Sequence, residues 1–550
     1  MTGQQPRRPP SRVMTWVVSR RAALVTVLAG VLVWVSLALP STMGILLNRS
    51  WYFQLPLAAL ILGVAAVSIP RRALRVVALI FGTLIGALVI VKALNIGFHS
   101  VFDRGFDIVG DWYYLGPGIG VLTDTTGRTW ALVIVGMALL LVVAVLVALP
   151  LATMWVTSAL ARNRRRSVIA VAVLLVVWAG SAATGFTVGT ATPLAAVSSS
   201  QLAWSTVRQV PSDIADRATF ATQIKADPHQ ASAPLLTGLK GKDVLLVFLE
   251  SIGQVALTDP SVAPTVNAAF ADGQAQLKAA GVSAASGWLT SPTFGGASWL
   301  AHSTVESGLW VDSQQRYNQL VSTDRLTLTE AFRSAGWRTV FDIPAMSQPW
   351  PEGQPFYHFD KLYTADNVGY KGPTYGYATM PDQFTFSALS RLELTGAPRA
   401  PVMAEIDLLS SHYPWTEPPP LLPWDAVGDG SGFAAPGAAP DAVPGVAPSP
   451  KQTYADATAY VLRTLASFAA TSNDPNLVIL AMGDHQPKTS ISGTDASHTV
   501  PTMLITRDSD VLARISNWGW TPGLHPAPDA PNWPMSDLRD RIFATFGAEP

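Results

Sequence analysis

The chain has 550 residues, of which 49% are hydrophobic and only 13% charged, so it is too apolar for an ordinary soluble enzyme. Lys plus Arg and Asp plus Glu balance at 37 each, which argues against the basic surface that nucleic-acid binding needs. No cysteine is present, which excludes disulfides, thiolate metal sites and a cysteine nucleophile.

The first 190 residues carry the apolar excess. Five stretches, 22–40, 51–69, 76–94, 130–151 and 167–188, are long enough, at roughly 20 residues each, to cross a bilayer. Arginines cluster before the first stretch, between the second and third, and between the fourth and fifth. By the positive-inside rule, the N-terminus is cytoplasmic and everything after Val188 lies outside. The sequence predicts a multi-pass plasma-membrane protein with its C-terminal part on the extracellular or periplasmic side.

Residues 191–240 are predicted to form a linker and helical connector, and residues 241–550 a separate domain. Strand-length apolar runs at 244–249, 284–289, 339–343, 402–407, 477–482 and 502–505 alternate with helical patterns at 263–280, 326–335, 383–394, 454–470 and 535–546. Such alternation predicts an α/β domain with a mostly parallel sheet between helices. The segment 418–450, rich in Pro, Gly and Ala, is predicted to be a flexible surface insertion.

Three short motifs follow predicted strands and carry polar groups. "LLVFLESIG" ends its apolar run at Glu250, "FGGASWLAH" contains Ser298, and "GDHQP" contains Asp484 and His485. Carboxylate oxygens and an imidazole nitrogen suit Mn²⁺ or Zn²⁺, and such an ion could activate a serine hydroxyl. The glycines before Ser298 favour a tight turn into a helix, whose N-terminal N–H groups can hold a phosphate.

These motifs, with "SSHYPW" and the five spans, resemble the lipoteichoic acid synthase-like branch of the alkaline phosphatase/sulfatase superfamily. The resemblance implies that Glu250, Ser298, Asp484 and His485 bind one divalent metal ion. Mn²⁺ is the ion expected first, with Zn²⁺, Mg²⁺ and Ca²⁺ as alternatives. It also implies that Ser298 is the catalytic nucleophile.

The resemblance extends to a substrate site. His412, in "SSHYPW", matches a histidine that contacts the substrate's phosphate or polar head and is expected to assist catalysis. Trp350 and His498 are expected to contact the substrate too. Glu352 stands about where glycerol-phosphate transferases carry an arginine, which favours a head group bearing an amine or a sugar. True sulfatases are disfavoured, because Leu300 and His302 stand where their modification motif needs Pro or Ala and then Arg.

The function predicted from these residues is a metal-dependent phosphotransferase. It would move a phospho-head group from a membrane phospholipid, through a covalent adduct on Ser298, to a glycolipid or cell-wall polymer. One alternative is a phosphodiesterase or phosphatase of the same fold, with water as the acceptor. An alternative of another class is a pseudoenzyme that binds lipid without turnover.

Overall fold

A computed structural model describes residues 12–189, 192–230, 235–344, 346, 350–351, 353–396, 398–435 and 449–547. The chain divides into two compact units after Ala215. Each unit has its own packing and is described separately.

The first unit is helical. Its helices of seven or more residues are α1 (Arg12–Ala38), α2 (Leu57–Ser68), α3 (Arg71–Phe102), α4 (Leu115–Thr126), α5 (Arg128–Arg162), α6 (Arg164–Thr184) and α7 (Ser198–Lys225), the last of which runs on past Ala215. Among the described residues, four segments are long and apolar enough to cross a membrane: Arg21–Ala38 within α1, and α3, α5 and α6. They coincide with four of the five predicted spans.

The second predicted span, 51–69, is not confirmed as a full crossing. Its helix, α2, has 12 residues, which at 1.5 Å per residue gives about 18 Å against a hydrocarbon core of about 30 Å. A 3₁₀ turn over Arg49–Phe53 precedes it, and Leu55–Pro56 pairs in parallel with Ala195–Ala196. Apolar composition hid this break, because only Gln54 and Pro56 mark it in the sequence.

Close backbone packing holds the long helices of this unit together. A Cβ on Gly82 of α3 would lie 2.4 Å from Cα of Pro150 in α5, so glycine permits this approach. Lys92 of α3 is buried and donates to the carbonyl oxygens of Ser36 and Leu37 at 3.2 and 3.1 Å. Its ammonium thus binds the last turn of α1, where the helix dipole favours positive charge.

Nine strands among the described residues of the second unit form one sheet. They are β1 (Asp243–Leu249), β2 (Ser283–Thr290), β3 (Arg338–Ile343), β4 (Lys361–Thr364), β5 (Val402–Leu408), β6 (Leu477–Gly483), β7 (Thr499–Thr506), β8 (Thr521–Pro522) and β9 (Asn532–Pro534). The order is β8-β2-β7-β6-β1-β5-β3-β4, and β9 pairs with β2. Strands β6, β1, β5, β3 and β4 are parallel, whereas β7 runs antiparallel to both β6 and β2. Each of the six predicted strands lies within one of these strands, in a mixed sheet.

Helices cover both faces of this sheet. Those of seven or more residues are α8 (Ala263–Ala279), α9 (Ser298–Ser307), α10 (Gln314–Leu320), α11 (Leu328–Ser334), α12 (Asp382–Leu389), α13 (Pro450–Thr471) and α14 (Leu538–Phe546), and shorter ones span Gln254–Thr258, Gly353–Tyr357, Thr489–Ser492 and Ser509–Arg514. All seven residues of β1 are buried, because alternate side chains enter the core on opposite faces. The unbroken apolar run of β1 is therefore the pattern of a central strand covered on both sides.

The predicted insertion 418–450 is not a free loop over its described part. Val427 and Phe433 are buried in the core. The side chain of Gln383 donates to the carbonyl oxygen of Leu422 at 2.6 Å and accepts from its N–H at 2.9 Å. The prediction missed the apolar residues spaced among the prolines and glycines. Residues 436–448, which hold most of the "AAPGAAPDAVPGVAP" run, lie outside the described residues.

Candidate active site

Two neighbouring strands bring the first two predicted ligands together. Leu249 at the end of β1 is paired in parallel with Gly483 at the end of β6, so Glu250 and Asp484 follow at the same edge of the sheet. Both side chains are buried. A Cβ on Gly483 would lie 1.9 Å from the carbonyl oxygen of Ile252, so this approach of the two chains requires glycine. The end of β6 can therefore reach the turn after β1.

Backbone hydrogen bonds orient this group. One carboxylate oxygen of Asp484, Oδ1, accepts from the N–H groups of Ser251 and His485, both at 2.7 Å. Ser251 has a left-handed backbone (φ 56°), and its Oγ donates to Glu250 Oε1 at 2.6 Å. His485 Nδ1 lies 2.7 Å from the carbonyl oxygen of Gln486, which can only accept, so Nδ1 carries the proton. The lone pair of His485 Nε2 is left to face Glu250 Oε1 and Asp484 Oδ2, at 3.7 and 3.5 Å.

Ser298 is the first residue of α9 and points into the same group. Gly295, Gly296 and Ala297 all have positive φ (68°, 155° and 64°), and this turn sets the start of the helix beside β6. The Ser298 hydroxyl donates to Glu250 Oε2 at 3.0 Å and lies 3.3 Å from His485 Nε2. A hydroxyl, two carboxylates and an imidazole, predicted from three separate motifs, thus lie together.

The chemistry of these donors fits a divalent metal ion. Glu250, Asp484 and His485 each offer a ligand atom, and these atoms lie within 4.8 Å of one another. Burial, together with the Glu250 carboxylate, raises the pKa of Asp484 well above its usual value. Burial also acts to raise the pKa of Glu250, but its electrostatic interactions with His412 and His485 and its hydrogen bonds with Ser251 and Asp484 outweigh burial and lower that pKa. Two adjacent acids that resist joint ionisation form a site that a cation would stabilise.

The predicted substrate residues differ in their surroundings. The His412 ring stacks on Tyr377 with centroids 3.7 Å apart. Trp350 donates its indole N–H to the Tyr317 hydroxyl at 3.0 Å. His498 is exposed, with Nδ1 3.1 Å from the carbonyl oxygen of Ser291.

Of these three residues, His412 interacts electrostatically with one predicted ligand, Glu250. For Trp350 and His498, the described contacts are to neighbouring protein groups. Glu352, which stands in place of the expected arginine, lies outside the described residues.

Asp382 fixes the loop that carries His412, and sequence reasoning missed it. Its Oδ1 accepts from the N–H groups of Leu409 and Ser410 at 2.9 and 3.1 Å. Burial raises the pKa of Asp382 to about 7. Ser411, next in the loop, donates its hydroxyl to the carbonyl oxygen of Glu250 at 2.5 Å. The only signal in the sequence is an acid within "MPDQF", ahead of a helix.

A second polar cluster, also missed, lies on the strand beside β1. His302 Nδ1, on α9, is 3.2 Å from Glu405 Oε1 and 3.6 Å from Asp407 Oδ1 of β5. Burial raises the pKa of Glu405 and of Asp407 to about 8. A faint signal was present: "VMAEIDL" places two acids on one face of a strand that is otherwise apolar.

No family model and no curated protein matches the chain. Among solved structures, the chain is similar to the lipoteichoic acid synthase LtaP from Listeria monocytogenes (14% identity, TM-score 0.37, covering 60% of this chain and 78% of that one). It is also similar to the phosphoglycerol transferase GacH from Streptococcus pyogenes in complex with sn-glycerol-1-phosphate (13%, 0.33, 61% and 91%). A third is the periplasmic domain of EcEptC from Escherichia coli in complex with Zn (14%, 0.37, 58% and 87%).

Proposed function

We propose that the chain is a metal-dependent phosphotransferase of the lipoteichoic acid synthase-like kind, with Ser298 as its nucleophile. The observation that carries this proposal is the position of the Ser298 hydroxyl, 3.0 Å from Glu250 Oε2 and 3.3 Å from His485 Nε2. A hydroxyl at a helix N-terminus, beside three ligand-type side chains, is the arrangement that metal-assisted nucleophilic attack needs.

The protein groups have separate roles in this proposal. Glu250, Asp484 and His485, together with the Ser298 oxygen, hold one divalent ion, Mn²⁺ or Zn²⁺ by donor type. Such an ion lowers the pKa of the hydroxyl and balances negative charge on the phosphate. The first N–H groups of α9 point toward a phosphate held beside Ser298. In this proposal His412, whose ring stacks on Tyr377, hydrogen-bonds to the head group.

The proposed reaction has two steps. Ser298 Oγ attacks the phosphorus of a membrane phospholipid, the bond from phosphorus to the diacylglycerol oxygen breaks, and that oxygen receives the proton that Ser298 loses. An acceptor hydroxyl, on a glycolipid or wall polymer, then displaces Ser298 and returns a proton to it. The four long apolar helices suit a donor that stays in the membrane. The domain would then act at the extracellular or periplasmic surface.

The test is peptide mass spectrometry of Ser298 after the full chain has been incubated with Mn²⁺ and mixed phospholipid vesicles. We expect a phosphate-linked adduct on Ser298 that is absent when EDTA is present, and its mass identifies the head group. Diacylglycerol release is measured in parallel. Ser298→Ala should abolish both signals. Ser303→Ala is the matched control, because Ser303 lies on the same helix, donates to the carbonyl oxygen of Leu300 and hydrogen-bonds with Tyr357, and is not among the predicted metal ligands.

The same experiment separates the alternatives. Diacylglycerol release together with free phospho-head group, and no product on an added glycolipid, would assign the hydrolase. An unmodified Ser298, with equal lipid turnover in wild type and Ser298→Ala, would overturn the nucleophile. Lipid binding without any turnover would assign the pseudoenzyme.

A further inference from the structure

We infer that His302, Glu405 and Asp407 form a second cation site, which holds a divalent transition metal ion such as Zn²⁺ or Mn²⁺. The site is distinct from the one built on Glu250, Asp484 and His485, and the sequence favoured one ion without fixing whether one or two bind. It does not depend on the function proposed above. The inference rests on donor geometry, on buried oxygens without partners and on the rigidity of the surrounding residues.

The donor atoms have the spacing of ligands around one ion. Donors at about 2.1 Å from a tetrahedral ion lie about 3.4 Å from each other. His302 Nδ1 lies 3.2 Å from Glu405 Oε1 and 3.6 Å from Asp407 Oδ1. No hydrogen bond joins any two of these three side chains among the contacts of the described residues. The imidazole and the carboxylates therefore face one another as ligands do, without the alignment of a hydrogen bond.

Two carboxylate oxygens in the cluster lack partners. Glu405 is 1% exposed, and among the described residues neither its Oε2 nor Asp407 Oδ1 has a hydrogen-bond donor. In the described part of the chain, the only ion-pair partner of either acid is His302. Buried carboxylates without a cation are costly. A divalent ion would supply both the missing charge and the missing contacts.

The neighbouring acid is not available as a further ligand. Both carboxylate oxygens of Glu306 accept from Thr329, from its N–H and its hydroxyl, each at 2.9 Å. Glu306 is fully buried and forms a side-chain hydrogen bond with Glu405, and burial together with the Glu405 carboxylate raises the pKa of Glu306 well above its usual value. The three remaining donors, one nitrogen and two carboxylate groups, suit Zn²⁺ or Mn²⁺.

The surroundings hold the ligands in place. Glu405 and Asp407 are two residues apart on β5, so they project from the same face of the sheet. The His302 ring stacks on Phe248 of β1 at 3.8 Å, and Phe248 is the residue paired with Asp407 across the two strands. Because these side chains are already held in place, metal binding would cost little conformational entropy.

Helix α9 links this cluster to the first one. His302 comes four residues after Ser298, about 6 Å along the helix. An ion at His302 would therefore lie behind the nucleophile rather than beside it. We expect it to stabilise the start of α9 and to offset the negative charge of the acids, without contacting the substrate.

The test measures the number of metal ions per chain by elemental mass spectrometry. The full chain is first stripped with EDTA, then reloaded with Zn²⁺ or Mn²⁺ and desalted. We expect about two ions per wild-type chain and about one in Glu250→Gln, in His302→Asn and in Glu405→Gln. Asp342→Asn is the matched control, since Asp342 is a buried acid that belongs to neither cluster, and it should keep about two.

A direct measurement on Glu250→Gln avoids any change to the second cluster. Zinc K-edge X-ray absorption on that variant should show an ion with one imidazole nitrogen and carboxylate oxygens at about 2.0–2.2 Å. The inference is overturned if wild type takes up a single ion that Glu250→Gln loses. It is equally overturned if the second ion remains in both His302→Asn and Glu405→Gln. If one of these variants fails to fold, the spectrum of Glu250→Gln alone decides.

Discussion

The two clusters differ in how their oxygens are satisfied, although both lie near the C-terminal ends of adjacent parallel strands. At the first, backbone N–H groups and hydroxyls already bind the carboxylates, and Ser298 is among the donors. At the second, two oxygens have no partner, and none of its three donors is a hydroxyl. The first cluster has a candidate nucleophile, Ser298, whereas the donors of the second cluster could only bind a cation. We therefore propose that the first cluster carries the reaction and that the second gives electrostatic support.

The largest expected effect comes from removing one carboxylate from each cluster in turn, which tests whether the two clusters have different roles. Glu250→Gln should lower metal affinity at the first cluster by more than about a hundredfold, because even residues behind a ligand contribute ten- to a hundredfold. Diacylglycerol release should fall with it. Glu405→Gln should reduce release much less, since Glu405 contacts neither Ser298 nor its metal ligands in the described structure. Both are measured by calorimetric titration and lipid turnover, and equal losses in the two variants would refute the division of roles.

A second change acts on the first cluster through its backbone alone. Gly483→Ala brings a methyl group to 1.9 Å from the Ile252 carbonyl oxygen, and overpacking of this kind costs about 1–3 kcal/mol. We expect a lower Tm together with weaker metal binding. Gly432→Ala is the control, because its methyl group would meet no atom closer than 3.7 Å. An unchanged Tm in Gly483→Ala would show that the turn after β1 adjusts freely.

The smallest effect concerns the loop that follows β5. The pKa of Asp382 rises from 3.8 to about 7 in the fold. The native state therefore binds more protons than the unfolded chain between these pH values, and stability falls as pH rises through that window. Asn can still accept both loop N–H bonds without this cost. Asp382→Asn should gain Tm relative to wild type at pH 8 but not at pH 4. Asp366→Asn, at an exposed position, is the control, and an equal difference at both pH values would contradict the role of burial.

The sequence placed the first cluster well because each of its acids ends an apolar run. The ends of buried parallel strands meet at one edge, so Glu250, Asp484 and His485 could be grouped without a structure. The second cluster could not be found this way. His302 and Asp407 are far apart in sequence and lie inside elements that read as core. Their proximity depends on how α9 crosses β5, which no local pattern records.

Local sequence patterns also gave an incomplete account of two segments of the fold. The apolar stretch 51–69 was long enough for a span, yet hydropathy does not register that Pro56 precedes the first turn of α2 and shortens the helix. The Pro- and Gly-rich segment read as mobile, yet Val427 and Phe433 bind part of it to the core. In both places, one or two residues outweighed the average composition.

Gly483 also bears on how related sequences should be compared. A glycine beside Asp484 and His485 invites interpretation as part of the reactive motif, yet it contributes no donor or acceptor side chain. Any other residue would place its Cβ against the Ile252 carbonyl. In an alignment, conservation of this glycine would reflect the steric fit between two chain segments. Conservation of Asp484 and His485, which follow it, would instead reflect the proposed reaction. A homologue that kept the glycine and lost Asp484 would keep this steric fit without one of the proposed metal ligands.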